Sequence, residues 1–323
     1  MMKTSAASAK RVKAGAGVKK SLGVRFTEAV KRDWQLYILL LPAMFFVFMF
    51  CYLSLYGIQI AFRDYKAVQG ITGSAWVGLK NFIDFFSAYY AQRLIANTFL
   101  LNLYNLLWSF PIPIIMAILL NQFTRPRVKK ITQTVIYIPH FISTVVMAGM
   151  LYLFLSPTNG IINTLITALG GESIYFMVEP EWFRTLFITT DIWQHAGWNT
   201  ILYIATLTGI DPGLYEAATI DGATKLQKIR HIEIPHLIPI AVMMLILNCG
   251  SLLASNTDNA LLMQTSGNMA TSDIIGVYVY QMGLGKAQFS YTTAIGLMTN
   301  VINFVMIIAV NWIAKRLNDT SLF

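Results

Sequence analysis

Glu216–Pro235 reads EAATIDGATKLQKIRHIEIP, twenty residues with six charged side chains, set between two apolar stretches, Leu186–Leu207 and Leu237–Leu253. Asp211 and Pro212 precede it and end the helix before it, because proline restrains its predecessor and suits the first turn of a new helix. Glu216, Ala217 and Ala218 then favour a short helix: the glutamate sits near the positive end of the helix dipole, and the alanines let a partner approach closely. Gly222 after Asp221 gives the chain a place to turn, and Pro235 and Pro239 bracket its return into apolar sequence. The segment reads as a charged moving part between two membrane spans.

The composition around it calls for lipid. Hydrophobic residues make up 56% of the 323 and charged ones 12%, about half the roughly 25% charge of a soluble domain. Six stretches approach or reach the roughly 17 to 25 residues a spanning helix needs: Leu36–Phe62, Thr98–Leu120, Ile131–Leu155, Leu186–Leu207, Leu237–Leu253 and Thr292–Ile313. The fourth carries Asp191 and His195, and the fifth is close to the short limit.

Lysine and arginine resist translocation and so mark the cytoplasmic side. Nine of the twenty-four precede the first span, from Lys3 to Arg32, which puts the N-terminus inside. Six spans then place Asn121–Lys130, the Glu216 loop and the C-terminal tail inside as well, with eighteen basic residues against six outside. The outer loop Ser156–Thr185 holds only Arg184 against Glu172, Glu179 and Glu181. This delimits a basic, coreless tail over 1–33, a six-helix membrane domain over 34–315 containing the charged loop 209–236, and a short cytoplasmic tail over 316–323. The first apolar run is longer than a signal core and lacks a cleavage pattern, so it is expected to be retained as an anchor.

The net charge of +9 lies in that tail and the inner loops, where topology and anionic headgroups account for it, so no nucleic-acid partner is expected. Cys51 and Cys249 fall inside predicted spans as small apolar residues. No zinc spacing, HExxH, GxSxG or GxxxxGK[ST] pattern occurs, and His231 and His236 are five apart, off one helical face. Neither a catalytic nor a metal site is expected.

The whole spacing of the charged loop is more specific than its parts. Glu-Ala-Ala, three residues, Gly222, nine residues, Ile232, one residue, Ile234 and Pro235 resembles the signature loop of the inner-membrane permeases of binding-protein-dependent ABC importers, with Ile234 in place of the usual leucine. Asp221, Gly222 and Ala223 match the D-G-A common in the carbohydrate group, and Pro239 matches its second proline; Ile229 stands where an aromatic is frequent. Leu39–Lys66, Trp76–Phe86 and Asp273–Met298 extend the likeness to LplB-type oligosaccharide and alginate-type polysaccharide permeases, over about Trp34 to Lys315.

That resemblance implies an all-α type I ABC importer permease fold. It implies that Glu216, Ala217, Ala218, Asp221, Gly222, Ala223, Ile232 and Pro235 form the element coupled to the ATPase. It also implies a second homologous permease, with a heterodimer favoured, two cytoplasmic ATPase subunits that use ATP and Mg, an extracytoplasmic solute-binding protein, and an oligosaccharide or polysaccharide cargo, in a bacterial cytoplasmic membrane. No cofactor is then bound by this chain itself. A peptide or amino-acid permease is the alternative within the superfamily; an energy-independent channel would leave the loop without a task.

The path of the cargo is less defined by sequence. Trp193, Gln194 and Asn199, beside Asp191, His195 and Trp198, are polar and aromatic groups in an apolar span. Such groups face a cavity or bond to neighbouring helices, and both readings stay open. Trp193 and Gln194 lie about 100° apart on a helix, so one narrow stripe cannot hold all three.

Overall fold

Backbone polar groups in lipid have no water to bond, so the chain satisfies them within helices, and helices account for most of the described residues. The computed structural model describes residues 31–253 and 256–318. Most of the basic tail, residues 1–30, and the C-terminal residues 319–323 lie outside the described residues.

The chain divides into two units. In the first, which ends at Gly57, the described part holds α1 (Trp34–Val47), a π turn over Phe48–Tyr52 and the start of a 3-10 stretch over Leu53–Phe62. Trp34–Phe62 is 29 residues long with a mean hydropathy of 2.4.

The second unit begins at Ile58. A two-residue antiparallel ladder pairs Arg63 with Trp76 and Asp64 with Ala75, ahead of α2 (Lys80–Ser87). α3 (Ala91–Ser109) runs on through Phe110 into α4 (Pro111–Asn121), a 31-residue apolar stretch in which Pro111 takes the first position of α4. α5 (Pro126–Tyr137) ends in a 3-10 turn over Ile138–Phe141 that contains Pro139, and α6 (Thr144–Phe154) leaves it at 96°. Ser143 caps α6 by accepting from the Val146 amide. α7 (Ile161–Ala168) precedes α8 (Pro180–Thr208), and α9 (Pro212–Ile220) lies in the charged loop. Lys225–Gly250 is then helical through a π turn at Ile229–Glu233 into α10 (Ile234–Gly250). α11 (Thr257–Met263), α12 (Ile275–Tyr280) and the 30-residue α13 (Phe289–Asn318) complete it.

Four of these helical stretches are long and apolar enough to cross a membrane, and the bent pair α5–α6 makes a fifth if it is one span. The sequence expectation of six adds Leu186–Leu207, which lies within the 29 residues of α8. α8 is long enough, but Glu181, Arg184, Asp191, Gln194 and His195 lower its apolarity.

α8 is the axis of the core. Toward its Pro180 end, Phe183 and Phe187 pack with Leu101, Ile274 and Val277; toward its Thr208 end, Tyr203, Ile204 and Leu207 pack with Ala117, Leu120 and Leu237. Between them α8 meets the end of α5 so closely that a Cβ on Gly197 would overlap the Ile136 carbonyl.

Candidate functional site

The charged loop is held by its own hydrogen bonds. Asp211 caps α9, its carboxylate accepting from the Gly213 amide at 2.9 Å, and Pro212 takes the first helical position. α9 ends with the Ala223 amide bonded to the Ala218 carbonyl at 2.9 Å and the Gly222 amide to the Thr219 carbonyl at 3.1 Å. This closure needs a left-handed residue at Gly222, whose φ is +74°. Thr224 and Gln227 then form a reciprocal cap over Lys225–Lys228, and Lys228 donates back to Thr219 at 2.7 Å. The result is a closed helix–turn–helix.

Glu216, Ala217, Asp221, Gly222 and Pro235 are exposed on it, while Ala218, Ala223 and Ile232 are half-buried. Ile220 and Leu226 stand 87% and 73% exposed on the loop.

Inward from the loop, Ile232 and Tyr215 pack onto the cluster of Ala117, Leu120 and Leu237. Between them lies Glu233, 2% exposed. Its Oε1 accepts from Asn121 at 2.9 Å, from Gln122 at 2.9 Å and from the Tyr215 hydroxyl at 3.3 Å, and its Oε2 from Gln122 at 3.2 Å. Burial, and next the Glu233 carboxylate, push the Tyr215 hydroxyl above its ordinary pKa, so it remains a donor. Sequence reasoning passed over Glu233; within the motif its position is the unspecified residue between two isoleucines.

A second feature is a cavity of about 600 Å³ between α3, α8 and α10. Asn102, Asn105 and Ser109 line it from α3, Asp191, His195, Trp198 and Asn199 from α8, and Asn248 and Asn256 from α10 and the start of α11. Asp191 is satisfied within the wall: its Oδ1 accepts from Asn256 and faces His195 Nδ1, both at 3.1 Å, and its Oδ2 accepts from Ser109 at 3.3 Å. The carboxylate stands between serine and histidine, the reverse of a nucleophilic triad, where the imidazole must reach the hydroxyl. His140 stacks on Trp198 at 4.4 Å and 8°, holding that ring at the cavity wall. Among the described residues no group of three His, Cys, Asp or Glu is placed to hold a metal.

Of the residues singled out in α8, Asn199 lines this cavity together with Trp198. Trp193 is half exposed on another face. Gln194 is buried, donating to the Ile142 carbonyl at 2.7 Å. Toward α8's Pro180 end, Arg93 pairs with Asp273 at 2.7 Å and Arg184 donates to Asn97 at 3.1 Å, ties across α3, α8 and the turn before α12 that hydropathy could not reveal.

Residues 85–319 match the family profile of the binding-protein-dependent transport system inner membrane component. The chain belongs to this family. It is a multi-pass permease subunit of an ABC importer, the non-catalytic membrane part of such a machine. The permease is 39% identical over 301 residues to Protein LplB of Bacillus subtilis (strain 168), covering 93% of this chain and 95% of that one. It is 39% identical over 322 residues to the polygalacturonan/rhamnogalacturonan transport system permease protein YteP of the same organism, covering both chains entirely. Its fold is similar to a chain in the crystal structure of a bacterial ABC transporter involved in the import of the acidic polysaccharide alginate, with a TM-score of 0.84, 34% identity, and coverage of 91% of this chain and 99% of that one.

Proposed function

We propose that this permease imports an oligosaccharide or polysaccharide fragment handed to it by an extracytoplasmic solute-binding protein, driven by ATP hydrolysis on two cytoplasmic ATPase subunits, beside a second, different permease. The observation that carries the cargo class is the cavity: seven asparagine and serine side chains with Trp198 along its wall. Such a lining suits sugars, whose hydroxyls take paired hydrogen bonds and whose C–H faces rest on an aromatic ring. The names of its relatives support the same class.

In this reading the chain crosses the membrane six times, α8 included, with both termini and the charged loop in the cytoplasm. The tail 1–33, the membrane domain 34–315 and the end 316–323 keep the limits drawn from sequence. The loop docks on the ATPase: Ala217 and Ala218 allow close contact, Glu216 and Asp221 meet its rim, Gly222 and Ala223 shape the turn, and Ile232 and Pro235 anchor the return. Asn199 lines the sugar path, and Trp193 and Gln194 serve helix packing or the permease interface instead. The test is competition in reconstituted vesicles: unlabelled oligosaccharides should suppress uptake of a labelled one, while peptides and amino acids should not. Suppression by peptides instead would contradict the cargo class.

A further inference from the structure

The Glu233 carboxylate is an unusual group to find buried. A charge withdrawn from water is tolerated only where hydrogen bonds or an opposite charge replace the lost hydration. Every hydrogen-bond donor described for Glu233 is neutral, and the ion pairs among the described residues do not include it. It also lies against Asn121 and Gln122, at the C-terminus of α4, where the helix dipole disfavours a negative charge. An apolar residue of similar size would fill this place with less penalty, so stability alone does not account for it.

The backbone turns it inward. Ile229–Glu233 is a π turn, which carries one more residue than an α turn, and such bulges gather at functional positions. Without that residue, position 233 would rotate by about 100° away from its partners. The three donors come from two elements of different kind. Asn121 and Gln122 end the apolar stretch α3–α4, whose other part lines the cavity; Tyr215 belongs to α9, immediately before Glu216. The amide bonds run from 2.9 to 3.2 Å, and the tyrosine bond is the longest, at 3.3 Å.

We propose that Glu233 is a positioning residue that latches the ATPase-facing helix α9, through Tyr215, to the end of α4, so that displacement of α9 reaches the cavity wall along α3–α4. Glu233 stays with α4 through its two amide bonds, and the longer Tyr215 bond is the contact that makes and breaks. The proposal rests on the reading that α9 docks on the ATPase.

The test uses the full transporter, purified with its binding protein and ATPase, and reads cargo molecules moved per ATP hydrolysed. Tyr215→Phe removes one hydroxyl and keeps the ring in its packing; Glu233→Gln keeps the shape and removes the charge. Each should lower transport per ATP on the order of threefold to tenfold, the fold-change expected from losing one hydrogen bond of ordinary strength, with normal subunit co-purification. The losses in the double variant should be less than additive, because Tyr215→Phe removes the bond that Glu233→Gln weakens. An unchanged ratio in Y215F, or additive losses in the double variant, would overturn the latch. Where E233Q fails to assemble, Y215F alone decides. Ala217→Trp separates this from the docking reading: if A217W still binds and couples to the ATPase, docking fails, whereas unchanged coupling in Y215F beside a disabled A217W removes the latch alone.

Discussion

The side-chain amide of Gln194 donates to the Ile142 carbonyl at 2.7 Å, tying α8 to the point where α5 and α6 diverge by 96°. A break inside a span leaves carbonyls without helical partners, and lipid cannot supply one. Gln194→Leu should therefore destabilise the permease by about 1–3 kcal/mol, read as a lower melting temperature of the purified complex, without changing which sugars compete for uptake. Altered sugar preference with unchanged melting would put Gln194 on the path instead.

Asn199 and Trp198 face the cavity, whereas Trp193 is exposed on another side of α8. Asn199→Ala should reduce cargo uptake severalfold while binding-protein-stimulated ATP hydrolysis persists. Trp193→Ala should leave sugar preference as it is. A change of preference in W193A with none in N199A would reverse this assignment.

Gly197→Ala tests the closest approach of α8. The added Cβ would meet the Ile136 backbone carbonyl, which cannot swing aside as a side-chain tip can. The expected cost is about 1–3 kcal/mol or more, seen as loss of membrane abundance and of partner co-purification. Wild-type abundance would contradict this packing.

Gly222 tests a different mechanism. Nothing lies within 4 Å of where its Cβ would stand, but its φ is +74°. Gly222→Val should disturb the loop by roughly 1–2 kcal/mol and lower transport, and Gly222→Asn should recover much of it, since asparagine visits the left-handed region more readily. Equal activity in both variants would contradict a conformational role.

Orientation is checked by cysteine labelling in sealed vesicles. Ser173→Cys should react only with reagent added outside and Lys228→Cys only from inside; opposite labelling would reject the arrangement.

The loop was legible because its signal is local: Asp211 and Pro212 start α9 and Gly222 ends it, each through backbone chemistry that one residue type supplies. The break between α5 and α6 was hidden, since Ile131–Leu155 reads as one largely apolar run and Pro139 is its only proline. Glu233 could not be recognised because a carboxylate among charged neighbours looks solvated. Its burial depends on Asn121, Gln122 and Tyr215, which only the tertiary fold brings to it. Asn199 and Gln194 look alike in sequence, and the packing of α5 and α6 against α8 separates them.

The most direct measurement of the central claim is uptake of a labelled oligosaccharide into vesicles holding the whole assembly, with binding protein outside and ATP inside. Uptake should require both, and Ala217→Trp in the fully assembled complex should abolish it while leaving insertion and membrane abundance intact. Uptake that proceeds without ATP, or normal transport in assembled A217W, would contradict the account.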